Sequence, residues 1–172
     1  MIVRPQTDVP VKARNVLAKE TDLLRTQLER VLDIHSHPEL CYEETLAHHT
    51  ICEFLEANGF TVKRHAFDTQ TCFEAEIGAG ERFIVYCAEY DALPGIGHAC
   101  GYNLIALSSI TAFVAAAKAV TELGIAGRVR LLGTPAEEGG GGKIKLLDAG
   151  AFEGASAALI SHPTSMNRIK EV

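Results

Sequence analysis

A continuous apolar run, Phe83-Ile-Val-Tyr-Cys-Ala88, is followed by an alanine-rich stretch from Asn103 to Leu123 and then by a second largely apolar run, Arg128-Val-Arg-Leu-Leu-Gly-Thr134. The first run has the length and composition of a strand in the middle of a sheet. The alanine-rich stretch reads as a long helix whose small side chains allow close packing against a sheet or another helix. Strands alternating with helices imply a largely parallel sheet, with ligands expected beyond the carboxyl ends of the strands.

The rest of the chain fits around this unit. Over residues 11–33 the apolar positions Val16, Leu17, Leu23, Leu24, Leu28, Val31 and Leu32 recur at helical spacing. His35-Ser-His-Pro-Glu39 interrupts that pattern, because Pro38 disfavours helix at His37. A second helix is expected from near Tyr42, with Glu43 and Glu44 in its first turn and Leu46, Ile51, Phe54 and Leu55 as its apolar stripe before Gly59. Phe60-Thr-Val-Lys-Arg-His-Ala-Phe67 and Cys72-Phe-Glu-Ala-Glu-Ile77 alternate as half-exposed strands do. A short helix over 142–149 and a last strand over 155–161 complete the expectation. No repeat, linker or low-complexity tract divides the 172 residues, which read as one domain.

Chemistry-bearing residues concentrate just after the expected strands: Glu89-Tyr-Asp91, His98-Ala-Cys-Gly-Tyr-Asn103, Pro135-Ala-Glu-Glu-Gly139 and Ser161-His-Pro163. In an extended segment Glu137 and Glu138 point in opposite directions, so one can ligate a metal while the other handles the proton of a metal-activated water. A catalytic zinc keeps three protein ligands and an open position, a count that Cys100, Glu138 and His162 meet. The metal lowers the pKa of its water from 15.7 toward about 7, and a carboxylate base then delivers hydroxide to an amide carbonyl. Each residue also has a plainer reading: the glutamates as a solvated pair at a helix start, Cys100 as a core thiol, His162 as a strand end, Asp91 as a turn former. Gly139 to Gly142 suggest a close backbone approach to the metal site or to a substrate carboxylate, and Lys143 reads as a solvated first-turn residue. The run lacks the spacing and Lys-Ser/Thr ending of a phosphate loop.

A formal charge of -6 with 16 scattered Lys and Arg argues against nucleic acid as a partner. The first ten residues lack the apolar core of a secretory signal, and no stretch reads as a membrane span, so a cytoplasmic setting is expected. Five cysteines without C-x-x-C spacing suggest neither a disulfide framework nor a zinc finger. Cys41, Cys52, Cys72 and Cys87 read as small buried hydrophobes, and His35, His37, His48, His49 and His65 as structural or surface residues.

In order along the chain, His37-Pro-Glu-Leu40 with Tyr42-Glu-Glu44, Ala88-Glu-Tyr-Asp-Ala-Leu-Pro94, Gly97-His-Ala-Cys-Gly101 with Asn103, Pro135 to Lys143, and Ser161-His-Pro163 resemble the motifs of the dinuclear metal amidohydrolases and metallopeptidases. That family includes aminoacylases, carboxypeptidase G, amino-acid-conjugate hydrolases and cytosolic dipeptidases. The resemblance implies a three-layer α/β sandwich with a mixed, largely parallel sheet flanked by helices. It also implies zinc or another divalent metal such as manganese, one or two ions, held by Cys100, Glu138 and His162. Glu137 would be the general acid and base, and Asp91 the carboxylate that orients a ligand. The implied substrates are dipeptides or N-acyl and aminobenzoyl amino acids. By the same resemblance residues 1–172 correspond to the N-terminal part of a catalytic domain, without the lid and dimerisation domain or the C-terminal catalytic segment; such a surface would favour oligomers.

Tyr102 departs from the pattern, standing where the family carries a histidine ligand, and a neutral phenol is a poor ligand beside imidazole. Three readings therefore stand: a two-metal hydrolase, a one-metal hydrolase with Tyr102 donating a hydrogen bond to substrate, and an inactive remnant that binds metal or a partner.

Overall fold

The structure, a computed structural model, describes residues 9–27 and 33–164. Four helices and five strands follow in the order α1 (Val9–Gln27), α2 (Thr45–Ala57), β1 (Val62–Arg64), β2 (Phe73–Ala79), β3 (Phe83–Ala88), α3 (Tyr102–Leu123), β4 (Gly127–Gly133), α4 (Gly142–Asp148) and β5 (Ala157–Leu159). Asp33–Ser36 forms a single 3-10 turn. Of the apolar stripe expected over 11–33, Leu28, Val31 and Leu32 lie outside the described residues.

The sheet has the order β1-β2-β4-β3-β5. β4–β3 and β3–β5 are parallel, while β1–β2 and β2–β4 are antiparallel, so the sheet is mixed. The expected class is met: α2 and α3 cover one face and α4 the other. In register, Ala88 lies beside Gly133, and Tyr86 beside Leu159. The carboxyl ends of β3, β4 and β5 therefore open on one rim, which is where the chemistry-bearing loops begin.

Burial follows from the pattern of the sequence. On one face Ala75, Val129 and Leu131 meet Ile51 and Leu55 of α2 and Ile110, Phe113 and Ala117 of α3. Each fully buried large side chain of this kind contributes about 1.5–3 kcal/mol. On the other face Phe83, Val85, Cys87 and Leu132 meet Leu146 and Ala151. The alternate positions Arg128 and Arg130 carry their charge to Glu76 at 3.0 and 2.9 Å and lie over the Phe83 ring.

Two expectations are corrected here. α3 is long and apolar enough to cross a bilayer by length and composition, contrary to the reading that no segment approaches that test; Ile105, Ala106, Ile110 and Phe113 are instead buried in the core. α2 begins at Thr45, and its free amides are capped from outside the helix. Glu39 accepts from Leu46 N and Ala47 N, both at 2.9 Å, and from Thr45 Oγ1 at 3.0 Å. Tyr42 takes a left-handed backbone (φ 62°) and Glu44 turns inward to complete burial.

Candidate functional site

After β3 the chain runs through Glu89 (3% exposed), Tyr90 and Asp91 (1% exposed). After β4 it runs through the buried Thr134, Pro135 and Ala136, then turns at Glu137 and Glu138. The expectation of an extended segment at Glu137 and Glu138 is corrected, since Ala136 adopts φ 59°. A left-handed alanine costs about 1–2 kcal/mol. The two carboxylates nevertheless diverge, because Glu137 reaches Lys143 while Glu138 reaches Cys100.

Asp91 links the two loops. Its Oδ2 accepts the Glu138 amide at 2.9 Å and the Cys41 thiol at 3.6 Å. Cys41, expected in the core, is half-exposed beside this carboxylate. The Cys100 thiol lies near the Glu138 side chain, and the influence of that carboxylate, together with burial, raises its pKa. Cys52, Cys72 and Cys87 do behave as buried hydrophobes: burial pushes their thiols up to about 12, 12 and 11.

His162 approaches the same rim from β5. The loop carrying Cys100 abuts Pro163 so closely that a Cβ on Gly101 (φ 76°) would lie 2.8 Å from Pro163 Cγ. The His162 ring meets Tyr102 edge-on at 5.9 Å, and its Nδ1 lies 2.7 Å from the Pro163 carbonyl oxygen. Tyr102 is buried, and burial followed by the Glu138 charge holds its phenol well above the ordinary range. Beside this corner lies a groove of about 470 Å³ lined by His35, His98, Cys100, Asn103, Leu104 and Pro163 among others.

Cys100 and Glu138 thus meet, Asp91 touches the Glu138 backbone, and Glu137 and His162 stand to either side. Two oxygens bear on whether these residues fit a cation: Asp91 Oδ1 and Glu138 Oε1 are buried with no hydrogen-bond partner. Unsatisfied buried acceptors are costly and call for a donor or a cation. A thiol, carboxylates and an imidazole on one rim form a donor set that suits zinc. Among the described residues, however, no three of His, Cys, Asp and Glu already close into a cage.

Lys143 is not the solvated residue that was expected. Its Nζ donates to Glu137 Oε2 at 2.6 Å and to Glu89 Oε1, and it is only a quarter exposed. Burial alone would lower the ammonium's pKa, but the bonds to Glu137 and Glu89 outweigh it and raise the value. Burial raises that of Glu89 against the opposing effect of Lys143. The glycine run does make a close backbone approach, though to the loop itself: a Cβ on Gly142 would lie 1.8 Å from the Pro135 carbonyl oxygen, and one on Gly140 would lie 2.5 Å from Ala136 Cβ.

The sequence reading missed Glu44. Completely buried, it accepts from Ala136 N at 2.8 Å and from Thr71 Oγ1 at 2.7 Å, 92 and 27 residues away in the chain. Its neighbour Tyr42 donates its hydroxyl to Gly140 O at 2.7 Å. The hint in the chain is Tyr42-Glu-Glu44, which stands among the motifs of the family resemblance but whose acids a helix start accounts for equally well.

Comparison with known proteins agrees with this architecture. The sequence profile described as Peptidase family M20/M25/M40 matches residues 83–172. The chain is 37% identical to the Xaa-Arg dipeptidase of Mus musculus over 95% of its own length and 43% of that protein. It is 34% identical to a subunit of the p-aminobenzoyl-glutamate hydrolase of Escherichia coli (strain K12), covering 83% of the chain and 34% of the relative. Among solved structures, the Bacillus subtilis YXEP protein, described as a dinuclear metal binding peptidase from the M20 family, superposes with a TM-score of 0.68 at 28% identity. That match covers 82% of this chain and 42% of the other. The chain spans about two-fifths of the length of these relatives. From the matched profile, the identities and the shared fold, the chain belongs to peptidase family M20/M25/M40.

Proposed function

We propose that this chain forms part of a metal-dependent hydrolase of amide bonds in dipeptides or in N-acyl and aminobenzoyl amino acids. The observation that carries the reading is the Cys100–Glu138 pair with the buried, partnerless oxygens Glu138 Oε1 and Asp91 Oδ1 at the carboxyl ends of β3 and β4. Cys100, Glu138 and His162 would hold zinc or another divalent metal such as manganese; bound there, it would activate a water and polarise the scissile carbonyl. Glu137 would take and return the proton, with Lys143 orienting its carboxylate. Asp91 would fix Glu138 through the backbone amide. The raised pKa of the Cys100 thiol means that loading the site releases a proton.

The chain is then the N-terminal part of a catalytic domain, and the named substrates of its relatives support the substrate class. Five free thiols suit a reducing, cytoplasmic setting. Among the described residues β5 is an edge strand, with Leu159 and Ile160 exposed, which favours association with another chain.

A second reading, binding without turnover, draws on Tyr102, a neutral phenol that packs edge-on against the His162 ring. Metal content by elemental analysis, measured beside hydrolysis of a panel of dipeptides and N-acyl amino acids, separates the cases. Two metals with turnover support the two-metal hydrolase, and one metal with turnover supports the one-metal form with Tyr102 as a donor to substrate. Metal without turnover supports the binding remnant; neither metal nor turnover removes the hydrolase reading.

A further inference from the structure

The loop carrying Glu137 and Glu138 is held from a distant part of the chain. Glu44 grips the amide of left-handed Ala136, and Tyr42 grips the carbonyl of Gly140, so the turn between them is fastened at both ends. Ala136 O in turn accepts from Gly140 N at 3.1 Å and Gly142 N at 3.2 Å. The same short segment reaches the other catalytic loop: Glu39 O accepts the Ala92 amide at 2.8 Å, and Cys41 donates to Asp91. Residues 39–44 therefore join the loops after β3 and β4.

Packing gives no reason for a carboxylate at position 44. The side chain is fully enclosed, has no basic partner among the described residues, and bonds a hydroxyl and a backbone amide. An unpaired acid in such a place is unfavourable to folding compared with an apolar residue of similar size, so its presence points to geometry rather than stability. The geometry it enforces is the reversal at Ala136 that sends the next two carboxylates in different directions.

We infer that Glu44, assisted by Tyr42, is a positioning residue that holds Ala136 in its left-handed turn and thereby aims Glu138 at the metal site and Glu137 at the reacting proton. This rests on the roles given to Glu137 and Glu138 under the proposed function. Both act through the loop backbone, on Ala136 N and Gly140 O. Glu44→Gln keeps an oxygen for the Ala136 amide and lets Thr71 accept instead of donate. Glu44→Leu removes both bonds.

The test uses the full chain with cobalt(II) as the probe, following its visible absorption on titration, beside amide hydrogen exchange of the peptide covering 134–142. Glu44→Leu and Tyr42→Phe should weaken cobalt binding by about tenfold or more and alter the absorption bands. Both should also speed exchange in that peptide, and Glu44→Gln should restore both readouts. Ile110→Val, a core change remote from the loop, should leave both unmoved. Wild-type affinity and exchange in Glu44→Leu, or a Gln variant that behaves like Leu, would overturn the inference.

If the wild-type chain takes up no cobalt, the metal reading fails and the exchange arm decides. Loss of protection confined to 134–142 in Glu44→Leu, regained in Glu44→Gln, would sustain the clamp, and unchanged protection would end it. Should Glu44→Leu not fold, Tyr42→Phe carries the same two readouts.

Discussion

Lys143 Nζ joins two carboxylates that leave different strands, Glu137 Oε2 at 2.6 Å and the buried Oε1 of Glu89. Among the described residues no other cation bonds Glu89, and burial already raises its pKa. Removing one member of a fully buried pair costs about 3–5 kcal/mol, and the partial exposure of Lys143 brings the expectation for Lys143→Met down to about 2–4 kcal/mol. A carboxylate whose folded pKa is raised contributes stability below its unfolded pKa and loses it as pH climbs through the folded one. Loss of the ammonium raises the folded pKa further, so the deficit of the variant should be small near pH 5 and larger at pH 8. Urea unfolding at both values checks this, and the double variant Lys143→Met/Glu89→Gln should recover much of the loss. An equal deficit at both pH values would show that Glu89 does not depend on Lys143.

Gly142 opens α4, where replacement by alanine ordinarily stabilises a helix by about 0.5–1 kcal/mol. Here the added methyl would meet the Pro135 carbonyl oxygen at 1.8 Å, a backbone atom that cannot move without disturbing Ala136. Gly142→Ala should therefore destabilise by about 2 kcal/mol or more. A thermal or urea midpoint equal to that of the unaltered chain would show that the loop packs less tightly than described.

His48 is a buried residue of α2, with its ring stacked on His65 at 4.8 Å and its Nε2 3.7 Å from Cys52 Sγ. Burial, followed by the neighbouring charges of His65 and Arg64, lowers its pKa from 6.5 to about 4. The unfolded chain thus takes up this proton first. Stability is unaffected above pH 6.5 and falls as pH drops from 6.5 toward 4, by up to about 3 kcal/mol from this residue. The acid limb of a stability profile should flatten in His48→Gln. A limb of unchanged slope would assign the acid sensitivity to other groups.

The sheet and its rim were legible in the chain because they rest on local pattern. Phe83 to Ala88 and Arg128 to Thr134 are apolar at strand length, and the alanines of α3 mark close packing. The residues that brace the site were not legible, since their roles come from contacts between distant segments. Glu44 and Glu39 look alike in sequence, yet one caps α2 while the other is enclosed against Ala136. Ala136 gives no sign of a left-handed backbone, a conformation ordinarily left to glycine, until Glu44, Gly140 and Gly142 surround it. Lys143 at a helix start is solvated by default, and only the convergence of the loops after β3 and β4 supplies it with two acids.

Tyr102 is the first residue of α3 and follows Gly101, whose left-handed backbone turns the chain into the helix. Burial and the Glu138 charge hold its phenol neutral across the working pH range, so it offers a metal only a weakly basic hydroxyl oxygen in place of an imidazole nitrogen. An imidazole in the same place would sit at the positive end of the helix, which favours its neutral, ligating form. Tyr102→His should therefore tighten zinc binding by about tenfold or more and raise the number of ions held per chain. Tyr102→Phe, which keeps the ring against His162 and removes only the hydroxyl, should leave zinc affinity unchanged. Calorimetric titration with zinc on the two variants checks both expectations. Weaker binding in Tyr102→Phe would make the phenol itself a ligand, whereas a histidine variant no tighter than the unaltered chain would mean that position 102 does not face the ion.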